Sequence, residues 1–285
     1  MRKSQIISLV VLLVLVTAVI WIGSFTGGNS NPTNSSNTSS AETTAEPEAT
    51  PEITTEEILE LPNKVYTWSG SDGEIDRASY DQMKQYGAIF DGTEINKDAV
   101  FLTFETGYSG GDADNTMNAI LDALKETGAK ATFLISAEYI EDDSCAPVLR
   151  RIVNEGHALG NRGSVQIDMT NQSVDEYARI LDTIRDRVQQ LVGEENIKMK
   201  YFRPFGCKYS VRDLAIAKRC GMSTVFWTVN YAQENGLSGL KGSMTGTLKA
   251  GGIYNIPVYA TEGNSNVLKD AIKAAQEKYT FAVLP

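Results

Sequence analysis

From about residue 62 to the C-terminus, short apolar runs of strand length alternate with stretches of helical periodicity, and this alternation restricts the fold more than any other feature. Ala99-Val100-Phe101-Leu102-Thr103-Phe104 reads as a buried strand. A helix follows, with Asp112 or Asp114 as N-cap, Met117, Ile120, Leu121 and Leu124 on its apolar face, and Gly128 as its stop. Lys130 to Ile135 is a second strand. The same reading gives helix 146–155, a short segment from Ala158 to Asn161, helix 174–191, strand 200–202 and helix 211–220. Strand 222–228, helix 237–249, strand 252–256, helix 265–277 and strand 280–284 complete the series. Such a rhythm predicts an α/β fold, a parallel sheet or barrel wrapped by helices. Residues 62–97 fit it poorly and, with Tyr66, Trp68, Tyr80 and Tyr86, are expected to form a lead-in segment packed on the domain.

The N-terminal quarter has a different texture. Residues 6–22 are apolar and uncharged, and Arg2 and Lys3 precede them. Extended through Gly23 to Phe25, the run reaches the length of a membrane span, so residues 1–26 are expected to be a signal-anchor helix. The positive end stays inside, which makes the protein a single-pass anchor in the cell membrane with an extracytoplasmic domain. The alternative is a signal peptide cleaved near Gly23-Ser24, which yields a secreted protein. Residues 27–61 are rich in Ser, Thr, Asn, Pro and Glu and read as a disordered, solvated linker.

The net charge of −10 is concentrated in part between residues 42 and 60, where Glu42, Glu46, Glu48, Glu52, Glu56, Glu57 and Glu60 face no basic residue. Phosphate binding needs a basic face, and this charge balance argues against one, so nucleic acid is not an expected partner. Cys145, Cys207 and Cys220 lack the spacing of a zinc ribbon or a disulfide framework; they read as small apolar residues, with a Cys207–Cys220 bridge as the alternative outside the cell. The chain has one histidine, His157. Hydrolytic zinc sites are usually built from two or three imidazoles with carboxylates, so this chain alone cannot assemble one.

That scarcity matters because four stretches, in order, resemble the motifs of a hydrolase family. They are T-F-E-T-G-Y at 103–108, G-H-A-L-G-N-R-G at 156–163, F-R-P-F-G-C-K-Y-S at 202–210 and F-W at 226–227, supported by K-A-T-F-L at 130–134. Together they resemble the polysaccharide deacetylase family, also called the NodB-homology or carbohydrate esterase 4 family, and within it the PdaA-like peptidoglycan deacetylases. The resemblance covers about residues 98–285. It implies a distorted (β/α) barrel with its site at the carboxyl ends of the strands. It also implies removal of N-acetyl groups from glycan sugars, with a divalent metal such as zinc activating the attacking water, an aspartate as base and a histidine as acid.

Carried across residue by residue, the resemblance places the base position at Glu105, one methylene longer than the family's aspartate. The next metal-ligand position is Thr106. The two metal histidines fall at Arg162 and Gln166, and the family's aspartate two residues later matches Asp168. The base-orienting arginine matches Arg203, and the acid histidine is replaced by Pro257. Asn230 and Gln233-Glu234 stand at the acidic positions of the fourth motif. His157 matches a position that is not a ligand, and reads as a structural histidine near a helix end.

An arginine neither ligates a metal nor deprotonates. Arg162 or Arg203 is therefore expected to pair with Glu105 and fill the emptied centre; the alternative is an Arg162 that points into solvent. Glu105 and Arg203 become vestigial base and orienting residues, and no metal or other cofactor is expected. Tyr108, Phe205, Tyr209, Trp227 and Tyr231, with Arg162 and Asp168, are the candidates for a surviving glycan groove; for Trp227 the alternative is a core position. Three functions follow. The first is a membrane-tethered protein that binds cell-wall glycan, such as peptidoglycan, without hydrolysing it. The second is an N-deacetylase with a non-standard site, and the third is a module that docks an envelope protein.

Overall fold

The computed structural model describes residues 53–70, 77–107, 111–193, 197–231 and 249–285. They belong to one folded unit, Thr50–Pro285. The anchor expected at 1–26, most of the linker, Tyr108, Gln233-Glu234 and nearly all of helix 237–249 lie outside the described residues.

Seven strands form one continuous parallel run. These are β2 (Ala99–Glu105), β3 (Ala131–Ser136), β4 (Ala158–Gly163), β5 (Tyr201–Phe202), β7 (Ser223–Thr224), β8 (Val229–Asn230) and β9 (Ile253–Pro257), in the order β7-β5-β4-β3-β2-β9-β8. A short β10 (Thr280–Phe281) adds to the start of β2, and β1 (Tyr66–Thr67) pairs antiparallel with β6 (Lys208–Tyr209). Two short helices, α1 (Thr55–Leu59) and α2 (Arg77–Gln85), precede the run. The helices between strands are α3 (Gly111–Thr127), α4 (Ala146–Asn154), α5 (Val174–Val192), α6 (Val211–Arg219) and α7 (Ser265–Ala275). Each buries one apolar stripe on the sheet, as Tyr177, Ile180, Leu181, Ile184 and Val188 do on α5.

The strand expected at 222–228 is broken in two. Its first half pairs with β5 and its continuation, β8, pairs with β9, so one segment serves both ends of the curled sheet. Between them the Ile89 N–H donates to the Thr224 carbonyl and the Phe226 N–H to the Ile89 carbonyl. Asp112 and Asp114 lie inside the first turn of α3 rather than capping it. The linker also ends earlier than expected. Thr54 and Glu57 form a capping box at the start of α1, Ile58 is fully buried, and Arg212 on α6 donates to the Leu59 carbonyl at 2.7 Å. Ile53 and Leu61 pack against the same core at its edge, so a few apolar residues among many polar ones, invisible to composition, dock this turn.

Side chains alternate across each strand, and this alternation builds the interior in layers. On β2, Val100, Leu102 and Phe104 join the large core under the helices, while Ala99 and Phe101 join a second cluster inside the curl with Leu134, Tyr201, Val225 and Ile253. Thr103 and Glu105 continue the inward column. Across the ladder Phe101 pairs with Ile253, Thr103 with Asn255 and Glu105 with Pro257. The floor is therefore apolar, the middle layer polar, and the top layer charged. Gly160 permits the close approach of β4: a Cβ there would lie 2.6 Å from Leu134 Cδ2 and 3.2 Å from the Tyr201 carbonyl.

Candidate functional site

The charged layer sits at the carboxyl ends of β2, β4 and β5. Inward alternation presents Glu105 at the end of β2 and Arg162 near the end of β4, while Arg203 follows β5 directly. Both arginines reach the carboxylate. Arg162 Nη2 donates to Glu105 Oε2 at 2.8 Å, and Arg203 Nη1 to Oε1 at 3.1 Å. The sequence left the choice of partner open; the fold supplies both, and Arg162 does not point into solvent, being 7 % exposed.

Arg203 is fully buried and thoroughly satisfied. Its Nη1 also donates to Thr103 Oγ1 at 2.9 Å and Asn255 Oδ1 at 3.1 Å, and its Nε to the Val225 carbonyl at 2.8 Å. Asn255 Nδ2 in turn donates to Asn230 Oδ1 at 3.1 Å. Burial alone pushes the Glu105 carboxyl up, but the charges and hydrogen bonds of Arg162 and Arg203 outweigh it and hold the group below its ordinary value. A carboxylate held this way is a weak proton acceptor.

A cavity of about 330 Å³ opens above this layer, lined by Glu105, Thr106, Arg162, Phe205, Trp227 and Pro257 among others. It adjoins a more apolar cavity of about 500 Å³, and the two share Thr106, Gly107, Val165, Phe205 and Tyr259. Phe205 is 47 % exposed, and its ring centre lies 5.2 Å from the Arg162 guanidinium carbon.

Several expected site residues lie elsewhere. Tyr209 is buried in the core, packed on Phe226 at 4.9 Å with its hydroxyl directed at Met83 Sδ, because β6 pairs with β1 and turns the ring inward. Asp168 caps a short 3-10 turn, Met169–Asn171, and pairs with Lys208 at 2.8 Å; it does not line the cavity. Gln166 lines a separate cleft with Glu138, Ile167 and Arg179. Thr106 accepts the Ser136 N–H at 2.9 Å and is part of the wall. Trp227 is 5 % exposed yet borders the cavity, and its carbonyl accepts Trp68 Nε1–H at 2.7 Å. Tyr231 is buried, its ring stacked on Tyr254 at 5.8 Å. His157 packs edge-on to Phe133 just after α4, its Nδ1 accepting the Ala131 N–H. Cys145, Cys207 and Cys220 are free thiols, so the Cys207–Cys220 bridge does not form.

Sequence reasoning missed Thr103, Asn255, Trp68 and Tyr259. Asn255 carried a signal: an amide inside the apolar run Ile253–Pro257 must find a buried partner.

A chain with this fold and these motifs invites comparison with known proteins. The family model for polysaccharide deacetylase matches residues 92–225. An uncharacterized 30.6 kDa protein of Geobacillus stearothermophilus is 30% identical over 208 residues, 71% of this chain and 75% of that protein. This chain belongs to the polysaccharide deacetylase family. The peptidoglycan-N-acetylmuramic acid deacetylase PdaA of Bacillus subtilis is 28% identical over 234 residues, 78% of this chain and 85% of that protein. Its solved structure, a family 4 carbohydrate esterase, superposes with a TM-score of 0.67 at 24% identity, covering 78% of this chain and 96% of that one. A Bacillus anthracis protein described as a CE4 family pseudoenzyme shares the fold, with a TM-score of 0.55, 21% identity, and coverage of 65% of this chain and 63% of that one.

Proposed function

We propose that this protein is a membrane-anchored, extracytoplasmic member of the family that holds cell-wall glycan, peptidoglycan in particular, without metal-dependent N-deacetylation. The observation that carries the reading is the buried triad Arg162–Glu105–Arg203. Where the family places a metal ion, two guanidiniums flank the carboxylate at 2.8 and 3.1 Å. Positive charge at that spot repels a divalent cation, and the donors around it do not fit one. Thr106 is engaged with Ser136, Pro257 offers no donor atom toward a metal, and Asn255 is spent on Arg203 and Asn230. Among the described residues no three His, Cys, Asp or Glu side chains are grouped to hold a metal. Glu105 and Arg203 are vestigial in this reading.

The groove supports the binding half of the proposal. Phe205, Trp227 and Tyr259 give it aromatic walls, and Asn230 adds an amide, the mixture of flat apolar faces and polar tips that suits sugars. The anchor rests on residues 1–26, and the wall is the partner within its reach.

The test uses the full-length chain in detergent. Purified wall glycan is expected to sediment with it, and Phe205→Ala to weaken that binding. Acetate release from N-acetylated wall fragments is expected to be nil with or without chelator, and metal analysis to find less than stoichiometric zinc. Chelator-sensitive acetate release would instead establish an active deacetylase with a non-standard site.

A further inference from the structure

Arg162 holds more hydrogen-bonding capacity than the protein uses. Its Nη2 is spent on Glu105, but Nε and Nη1 have no protein partner among the described residues, although the residue is 7 % exposed and lines the cavity. Arg203 beside it has partners for all three nitrogens. The charges show the same imbalance. Among the described residues Glu105 and Arg162 are the only charged ones lining the cavity, with Arg203 directly beneath, so the centre carries two positive charges against one negative. A buried surplus charge and buried donors without acceptors are both costly, and here they coincide on one side chain. The Phe205 ring covers this guanidinium, lines the same cavity and is itself half exposed to solvent.

We propose that Arg162 is an anion subsite, which takes a carboxylate carried by the bound glycan once the Phe205 ring moves off it. This rests on the glycan-binding reading above and adds the chemical class of the ligand. One surplus positive charge matches a monoanion. A dianionic phosphate would overcompensate it a few ångströms from Glu105. A neutral sugar amide would fill the donors but leave the charge. Guanidinium–carboxylate hydrogen bonds are the strong, charge-assisted kind.

The experiment is a titration of the full-length chain with three ligands at low salt, followed by tryptophan fluorescence. One is a wall-glycan tetrasaccharide whose lactyl ethers end in free carboxylates. The second is the same tetrasaccharide with those carboxylates converted to amides, and the third is a neutral N-acetylglucosamine tetramer. The carboxylate form is expected to bind about tenfold or more tightly than its amide. Acetate at millimolar concentration is expected to weaken the carboxylate form and leave the amide unchanged. Arg162→Gln is expected to level the two, and Arg162→Lys to keep part of the difference. Equal affinity for carboxylate and amide would overturn the anion subsite while leaving glycan binding intact, and that comparison needs no variant to fold. Acetate that binds, with no tetrasaccharide binding, would support the subsite for a free carboxylate and remove the glycan reading instead. Failure of all four probes would remove both.

Discussion

Glu105 and Arg162 face each other across one ion pair, yet their removal should have opposite consequences. Glu105→Gln takes away the only negative charge of the triad and leaves two guanidiniums within hydrogen-bond reach of a neutral amide. Breaking a buried pair this way costs about 3–5 kcal/mol. For a unit of this size about 1 kcal/mol moves the melting temperature by about 2–4 °C, so a fall of about 6–20 °C is expected. Arg162→Met removes the surplus charge and the two orphaned nitrogens with their three N–H bonds, and leaves Glu105 on Arg203. Its loss and gain nearly cancel, and the change should stay within about 1 kcal/mol. In the double variant the like-charge contact is gone, so it should melt above Glu105→Gln alone, with a coupling of about 0.5–3 kcal/mol. Acid titration sharpens the test. The folded carboxyl lies below its unfolded value of about 4.3, so its contribution is present above that pH and is lost as the pH falls toward the folded value. Glu105→Gln should lack this loss. The assay is thermal unfolding by near-ultraviolet circular dichroism for all four proteins. An Arg162→Met variant as unstable as Glu105→Gln, or strictly additive single effects, would refute the surplus-charge argument.

Three further outcomes follow from the packing. Burial, aided by the charge of Lys130, lowers His157 to about 4 from 6.5, so the unfolded chain binds the proton first and stability should fall by up to about 3 kcal/mol as the pH drops through that window; His157→Gln should flatten the slope in pH-dependent melts. A thiol reagent should modify Cys220 alone in the native chain, because Cys145 and Cys207 are buried and burial pushes the Cys145 thiol up to about 11; all three should react in urea without reductant, and fewer would reveal a disulfide. Ile58→Ala should cost about 2–5 kcal/mol and open residues 53–61 to limited proteolysis, whereas an unchanged digestion pattern would return this turn to the linker.

The regular elements were legible because their period is local. Helix 174–191 is observed as Val174–Val192 and strand 252–256 as Ile253–Pro257, since a 3.6-residue stripe or a buried apolar run is written in adjacent residues. The broken strand at 223–230 was not, because its two halves take their partners from opposite ends of the sheet. Tyr209 looked like a groove residue because it lies in the motif at 202–210; its pairing with Tyr66, far away in sequence, turned it inward.

The sequence by itself determined which side chains stand at the motif positions. Arg162, Gln166 and Pro257 stand where the resemblance places imidazoles, and none of these side chains is an imidazole-like nitrogen ligand, whatever the fold does with them. Only the tertiary structure decided what took their place. Hydrogen bonding depends on distances between strands, and it was the curl of the sheet that brought Arg162 and Arg203 to the same carboxylate, gave every nitrogen of one a partner, and left the other with donors to offer.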